Sequence, residues 1–189
     1  MANKKRIILG ISGASGAIYG IRTLEILSEL GIETHLVISK TARQVLRAET
    51  DMLAESLEEM ASQSYHPDDL SASIASGSYQ TDGMLIVPCS IKTLSGVANS
   101  YADNLMVRAA DVCLKEGRPL LLAVREAPLH AGHLHLMQLA SQAGAIIFPP
   151  IPSFYGSPQS IAELVDQTIG RMLLRMGIEN THYKEWEKV

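Results

Sequence analysis

The residues best suited to bind or transform a small molecule directly follow short apolar runs. The first set, Gly10-Ile-Ser-Gly-Ala-Ser-Gly16, lies between the apolar residues 6–9 and an apolar helical pattern. Glycines let the backbone approach a phosphate, and a helix N-terminus offers free N–H groups and a positive dipole. Ser15 adds a hydroxyl at the same place. This arrangement favours a phosphate-bearing ligand over a tight turn that binds nothing.

The same glycines differ from a dinucleotide-binding fingerprint. Gly10, Gly13 and Gly16 recur at every third position, whereas that fingerprint reads Gly-x-Gly-x-x-Gly. The second apolar run, residues 34–38, is followed by Ser39-Lys40, where an NAD-binding strand would end in an acid for the ribose. The sequence therefore favours a mononucleotide over NAD.

A second polar set, Pro88-Cys-Ser-Ile-Lys-Thr-Leu94, follows the apolar residues 84–87. Its two hydroxyls and one ammonium group suit an anionic ligand. The alternative is ordinary helix capping by Ser90 beside a solvated Lys92. Cys89 has no histidine or other base near it in the sequence, so a small buried thiol is a better interpretation than a nucleophile.

Charged residues also follow the fourth apolar run, residues 120–124. Arg125 suits an anion and Glu126 suits general acid–base chemistry, and the alternative is a surface charge pair. His130, His133 and His135 superficially resemble a metal site. However, two histidines that are two positions apart face different sides of a helix. We therefore expect helix capping and surface histidines, and no metal.

The elements that position these residues alternate between strand and helix. Strands are predicted at residues 6–9, 34–38, 84–87, 120–124 and 145–148, and helices at 18–30, 41–61 (as one or two), 105–116, 133–143 and 161–176. Because each strand is almost continuously apolar, both faces of a parallel sheet should be covered by helices. We predict a doubly wound α/β fold with its ligand at the carboxyl ends of the strands.

Length and composition narrow the classes of function. The 189 residues, with 47% hydrophobic residues and a formal net charge of −4, indicate a single domain over 1–189 with a C-terminal tail at 180–189. The acidic balance argues against a nucleic-acid partner, and no apolar run is long enough for a membrane span. Two cysteines, Cys89 and Cys113, fit a reducing compartment, so we expect a cytoplasmic protein.

An ordered set of segments, from the first strand to the final helix, closely resembles the UbiX-type flavin prenyltransferases, once known as aromatic-acid decarboxylases. These segments are GISGASGAIYG at 10–20, SGS at 76–78, DGM at 82–84, PCSIKTL at 88–94, RAADV at 108–112, RE at 125–126 and PPIPSFY at 149–155. Each segment is moderately specific by itself, and their order is highly specific.

The resemblance implies a Rossmann-like flavoprotein with a three-layer α/β/α architecture. Such an enzyme transfers a dimethylallyl group from dimethylallyl phosphate to N5 and C6 of reduced FMN, without a metal. The prenylated FMN would serve a UbiD-type decarboxylase in ubiquinone or aromatic-acid metabolism. The family also implies a homododecamer built from trimers, with sites at the subunit interfaces.

The resemblance assigns roles to individual positions. The implied FMN contacts are Gly13, Ala14, Ser15, Ser39, Ser90, Ile91, Lys92, Thr93 and Arg125. The implied prenyl-phosphate contacts are Tyr155, Arg171, Arg108 and Lys115, with Lys115 supplied by a neighbouring subunit. Ser15, Glu49 and Glu126 match positions that handle protons.

Two aromatic residues and one arginine complete the expected site. Tyr79 stands where relatives have tryptophan, and its ring would still face an allylic cation. Trp186 matches an aromatic residue near the site. On the final helix, the periodicity places Arg171 at the edge of the apolar face and Arg175 inside it, and only the resemblance selects Arg171.

Two other functions fit the same fold. One is an FMN-dependent decarboxylase that acts on a cysteine, but its Pro-Ala-Ser-Ala-Asn-Thr segment is replaced here by PCSIKT at 88–93. The other is a non-enzymatic flavin carrier. A carrier would not need Tyr155 or Arg171.

Overall fold

Six parallel strands and seven α-helices alternate along the chain in the computed structural model, which describes residues 4–186. The strands are β1 Arg6–Ile11, β2 Glu33–Ile38, β3 Gln63–Tyr65, β4 Gly83–Cys89, β5 Leu120–Val124 and β6 Ile146–Ile147. The helices are α1 Ala17–Glu29, α2 Lys40–Glu49, α3 Ala54–Met60, α4 Ile91–Ala98, α5 Leu105–Lys115, α6 Ala131–Gln142 and α7 Ile161–Arg175.

The strand order is β3-β2-β1-β4-β5-β6, so the chain turns back across the sheet between β1 and β4. In register, Leu9 of β1 lies between Leu36 of β2 and Leu85 of β4. One apolar cluster packs α1, α2, α3 and α7 on one face, and a second packs α4, α5 and α6 on the other. This confirms the predicted doubly wound, three-layer α/β architecture.

That the chain forms a single domain over 1–189 stays a prediction. Residues 1–3 and 187–189 lie outside the described part of the chain. None of the helices in the described part is both long and apolar enough to cross a membrane.

Two local predictions differ from the structure. The edge strand β3 was not predicted, because Gln63-Ser-Tyr65 has no apolar run and is ordered by pairing with β2. In the region 41–61, where one or two helices were predicted, there are two, since Thr50 is extended and ends α2. Arg175 is exposed, not inside the apolar face of α7, because the buried stripe passes through Met172, Leu173 and Met176.

A polar network holds the amino ends of β1 and β2. His35 is 2% exposed, and its Nδ1 lies 2.8 Å from the Tyr65 hydroxyl while its Nε2 lies 2.9 Å from Glu33 Oε1. Arg6 Nε donates to the same Glu33 oxygen at 2.7 Å. Burial lowers the pKa of His35 below its usual value, against the opposing effect of the Glu33 carboxylate.

We therefore expect the free energy of unfolding to decrease as the pH falls from about 7 to about 5.5. The folded protein keeps His35 neutral, whereas the unfolded chain protonates it near its ordinary pKa of 6.5. A proton bound only by the unfolded chain lowers stability by up to about 1.4 kcal/mol per pH unit. Urea unfolding of flavin-free protein across this pH range measures the slope. His35→Gln should flatten it and His66→Gln, at an exposed loop residue, should not; equal slopes in all three proteins would contradict this prediction.

Candidate functional site

A cleft of about 1310 Å³ lies at the carboxyl ends of β1, β2 and β4, where the chain turns back across the sheet. Six of the predicted FMN contacts line it, namely Gly13, Ser39, Ser90, Ile91, Lys92 and Thr93. The opposite wall is formed by residues from α4, the start of α5 and the start of α6. The location agrees with the rule that such folds bind ligands at the point where strand order reverses.

Two helices begin at the cleft with serine caps. The Ser39 hydroxyl accepts the N–H of Ala42 at 3.1 Å, and the Ser90 hydroxyl accepts the N–H of Thr93 at 3.3 Å. Lys40 and Lys92 line the cleft beside these caps, and Lys40 pairs with Asp68, which lines the cleft too. The two helix dipoles and the ammonium group of Lys92 favour an anion, so the cleft fits the phosphate of a mononucleotide.

Ser12 joins the two turns that form one wall of the cleft, and it was not among the predicted site residues. Its buried hydroxyl donates to the carbonyl of Pro88 at 2.8 Å and accepts the N–H of Ser90 at 2.7 Å. The sequence pattern that could have pointed to Ser12 is a small hydroxyl residue directly after a buried strand. Since its partners are 76 and 78 residues away, only the folded chain shows what it binds.

The N-terminus of α1 binds a carboxylate of the protein itself. Glu49 Oε2 accepts the N–H groups of Gly16 at 2.8 Å and of Ala17 at 2.9 Å. The glycine pattern predicts a phosphate at this turn. The N–H groups of Gly16 and Ala17 are bound by Glu49 instead, and a phosphate contact with the rest of the turn stays a prediction.

Ser15 and Arg125 lie close enough to Glu49 to influence its pKa. Partial burial alone would raise the pKa of Glu49, but the Ser15 hydrogen bond and the two backbone N–H groups outweigh it. The nearby charge of Arg125 acts in the same direction, so the pKa lies below its ordinary value. Glu49 is therefore an ionised carboxylate that fixes the turn containing Ser15 and Ala14.

Glu126 is the second residue after β5 and has an exposed side chain. Its Oε1 accepts the N–H of Ala127 at 3.0 Å. Arg125 is tied to the neighbouring strand by its own N–H, which donates to the Cys89 carbonyl at 3.0 Å. Both residues thus lie at the ligand-binding edge of the sheet, as predicted.

Tyr155 and Arg171 lie together, as the resemblance implied. Arg171 Nη1 is 3.4 Å from the Tyr155 hydroxyl, and the Trp186 ring packs edge-on against the Tyr155 ring at a centroid distance of 5.4 Å. This group, on the loop before α7, on α7 and on the tail, does not line the cleft of the same chain.

The two basic residues of α5 also lie outside the cleft. Arg108 donates to the Ala75 carbonyl at 3.1 Å and pairs with Asp111 at 2.9 Å. Lys115 pairs with Glu116 at the far end of the helix, next to Gly77. Since α5 begins at the cleft and runs back along the sheet, Lys115 lies at the opposite edge.

Tyr79 does not lie at the ligand-binding edge of its own chain, so its predicted place beside the prenyl group is not formed within one chain and stays a prediction. Its ring lies 4.7 Å below the Arg6 guanidinium and contacts His35 edge-on at 5.5 Å. The reason is topological. Tyr79 comes four residues before β4 begins, and therefore packs at the amino ends of the strands.

The remaining candidates have structural surroundings. Cys89 is fully buried, which raises the pKa of its thiol far above the ordinary value. His130 caps α6, accepting the N–H of Gly132 at 3.0 Å, and its ring lies 3.6 Å from that of His133. Within residues 4–186, no three His, Cys, Asp or Glu side chains form a group that could hold a metal ion.

Fold and site together define a mononucleotide-binding α/β protein of the flavoprotein class. A family model described as Flavoprotein matches residues 1–173. The chain is 55% identical over 175 residues to the flavin prenyltransferase UbiX of Escherichia coli K12, covering 92% of this chain and 93% of that protein. The chain belongs to the UbiX flavin prenyltransferase family and is a transferase.

Two solved structures share the whole fold. AnUbiX (PadA1), in complex with FMN and dimethylallyl pyrophosphate, has a TM-score of 0.97 and 41% identity, covering 99% of this chain and all (100%) of that one. The dodecameric FMN-dependent Ubix-like decarboxylase of Escherichia coli O157:H7 has a TM-score of 0.94 and 42% identity, covering 97% of this chain and 100% of that one.

Proposed function

We propose that this protein transfers the dimethylallyl group of dimethylallyl phosphate to reduced FMN and releases phosphate and prenylated FMN. The observation that supports this most is the cleft lined by Ser39 and Ser90–Thr93 in a fold that matches a relative with FMN and dimethylallyl pyrophosphate bound. Prenyl transfer is favoured over cysteine decarboxylation and over flavin carriage, because the family is one of prenyltransferases.

The charged groups of the cleft determine where the phosphate of FMN binds. This phosphate binds where α2 and α4 begin, next to Lys92, because Glu49 already accepts the N–H groups at the start of α1. The flavin ring then extends towards the turn that contains Gly13, Ala14 and Ser15 and towards Arg125. In this arrangement the ring lies among groups that can move a proton, and the phosphate lies away from them.

Prenyl phosphate binds at a site that two or more copies of the chain complete. Tyr155, Arg171, Arg108 and Lys115 are suited to an anion but lie in three separate places within one chain. Ile151 and Ile161, near Tyr155, are 74% and 78% exposed, and such apolar surface is typical of an interface. We propose a homododecamer built from trimers, in which a neighbouring subunit supplies the missing residues.

Different residues then act in prenyl transfer and in ring closure. Arg171, Tyr155 and Lys115 stabilise the phosphate that leaves as the allylic C–O bond breaks and the N5–H of reduced FMN is replaced by an N5–C bond. Ring closure adds a proton from solvent to the prenyl double bond, joins the resulting tertiary carbon to C6 and releases the C6 proton. Glu126 accepts this proton as the general base, while Ser15 and Glu49 assist by orienting the reacting groups.

The product, prenylated FMN, passes to a UbiD-type decarboxylase of ubiquinone or aromatic-acid metabolism. We propose that both proteins work in the cytoplasm. A modified flavin has use only in a partner enzyme that binds it, which supports its transfer to such a decarboxylase.

Mass spectrometry of the flavin tests the proposal. Purified protein is incubated without oxygen with reduced FMN and dimethylallyl phosphate, and the flavin is then extracted. We expect the mass of FMN to increase by one five-carbon unit, and no increase without protein. Unchanged FMN that stays bound to the protein would contradict prenyl transfer and favour a carrier.

A further inference from the structure

The side-chain amide of Gln167 on α7 joins the C-terminal tail to the loop that contains Tyr155. Gln167 is 8% exposed, and its Oε1 accepts the N–H of Lys184 at 2.7 Å. Its Nε2 donates to the Tyr155 hydroxyl at 3.0 Å and to the Lys184 carbonyl at 3.2 Å. One buried amide thus satisfies both backbone groups of Lys184 and also binds the phenol.

The Tyr155 hydroxyl has its single proton engaged in this arrangement. It donates to the Lys184 carbonyl at 3.1 Å and accepts from Gln167 Nε2 and, at 3.4 Å, from Arg171 Nη1. To donate to a phosphate oxygen, Tyr155 must release that carbonyl. The carbonyl would still have a partner, because Gln167 Nε2 also donates to it. Release of Tyr155 therefore leaves no buried acceptor unpaired.

The C-terminal tail packs closely against α7, so the hydrogen bonds of the Gln167 amide can fix the position of the tail. Gly170 lies one turn after Gln167, and a side chain there would come within 2.8 Å of the His182 backbone. The Asn180 side chain donates to the Gly170 carbonyl at 3.0 Å. Trp186, two residues after Lys184, then meets the Tyr155 ring.

We infer that Gln167 is a positioning residue for prenyl-phosphate binding: it holds the tail against α7 and orients the Tyr155 hydroxyl towards the phosphate. The inference rests on the proposed function only for the identity of the ligand. Gln167 itself does not touch the reacting atoms. Its effect acts through Tyr155, and it should therefore change binding of the prenyl phosphate more than the chemical step.

Steady-state kinetics of Gln167→Leu in the full-length protein test the inference. We expect KM for dimethylallyl phosphate to rise about 10-fold, the upper range for the loss of neutral hydrogen bonds. At the same time kcat should stay within about two-fold and FMN affinity should not change. The matched control, Gln159→Leu, replaces an exposed glutamine before α7. Its KM, kcat and FMN affinity should equal those of the wild type. An unchanged KM, or a loss confined to kcat, would overturn the inference.

Tryptophan fluorescence gives a readout that does not depend on activity. Trp186 is the single tryptophan of the chain, so its emission reports on the contact between tail and Tyr155. Trp186 is 69% exposed, so the wavelength of its emission should hardly change. Gln167→Leu should instead lower the emission anisotropy, because the tail is held less firmly. Anisotropy equal to that of the wild type would contradict the role in tail docking, even if the wild type proved unable to prenylate FMN.

A second pair of variants covers the case in which Gln167→Leu does not fold. Lys184→Pro removes the N–H that donates to Gln167 Oε1, whereas Lys184→Ala keeps it. We expect the raised KM and the lowered emission anisotropy in Lys184→Pro and not in Lys184→Ala. Equal behaviour of the two variants would overturn the inference.

Discussion

Glu126→Gln is expected to convert the enzyme into one that attaches the prenyl group but does not close the new ring. Attachment depends on the cleft and on the groups that stabilise phosphate, none of which this substitution removes. Ring closure needs a base for the departing proton, and glutamine cannot accept it. General bases typically contribute about 10²- to 10⁴-fold, so closure should slow by that factor.

The surroundings of the two glutamates differ, which favours Glu126 as the base. Glu49 already accepts two backbone N–H groups, which hold it ionised and in place and lower its pKa. Glu126 has an exposed side chain and accepts the N–H of the next residue. Its carboxylate is therefore held less firmly than that of Glu49.

Rapid quenching followed by mass and absorption spectra of the flavin measures this prediction. The prenylated but uncyclised flavin has the same mass as the closed product, so their absorption spectra distinguish them. Glu59→Gln, at an exposed acid on α3, is the control and should give only closed product. Normal ring closure by Glu126→Gln would show that another group takes the proton.

Arg171→Ala should lower kcat/KM for dimethylallyl phosphate by about 100-fold. Charge-assisted hydrogen bonds contribute about 1.5–3 kcal/mol, and the upper end corresponds to this factor. The effect should appear in kcat as well as in KM, because negative charge on the phosphate increases as the C–O bond breaks. Arg171→Lys should recover part of the loss, since an ammonium supplies charge without the planar pair of donors.

Arg175→Ala is a matched control one helical turn further along α7. It removes an exposed guanidinium of the same helix that is not in contact with Tyr155. Its kcat/KM should stay within about two-fold of the wild type. A similar loss in both variants would indicate a general effect of the positive charge of α7, and wild-type activity in Arg171→Ala would exclude this arginine from phosphate binding.

The sequence by itself determined the layered fold and the edge of the sheet that binds the ligand. Continuous apolar runs can be buried only between two layers of helices, and the carboxyl ends of parallel strands meet at one edge. Six of the residues that follow these runs, among them Ser39 and Ser90, do line one cleft. Local pattern was sufficient here, because each residue is placed by its own strand.

Only the tertiary structure showed which charged and polar groups pair with each other. It also showed at which end of the strands each loop residue lies. Glu49 binds the start of α1 across 33 residues of sequence, so two N–H groups of the glycine-rich turn are already paired within the chain. Tyr79 looked suitable for an allylic cation, yet the path into β4 places it beside Arg6. The contacts of Gln167 with Lys184, 17 residues away, have no local signal at all. Hydrogen bonds and charges act over a few ångströms in space, and distance along the chain does not report that separation.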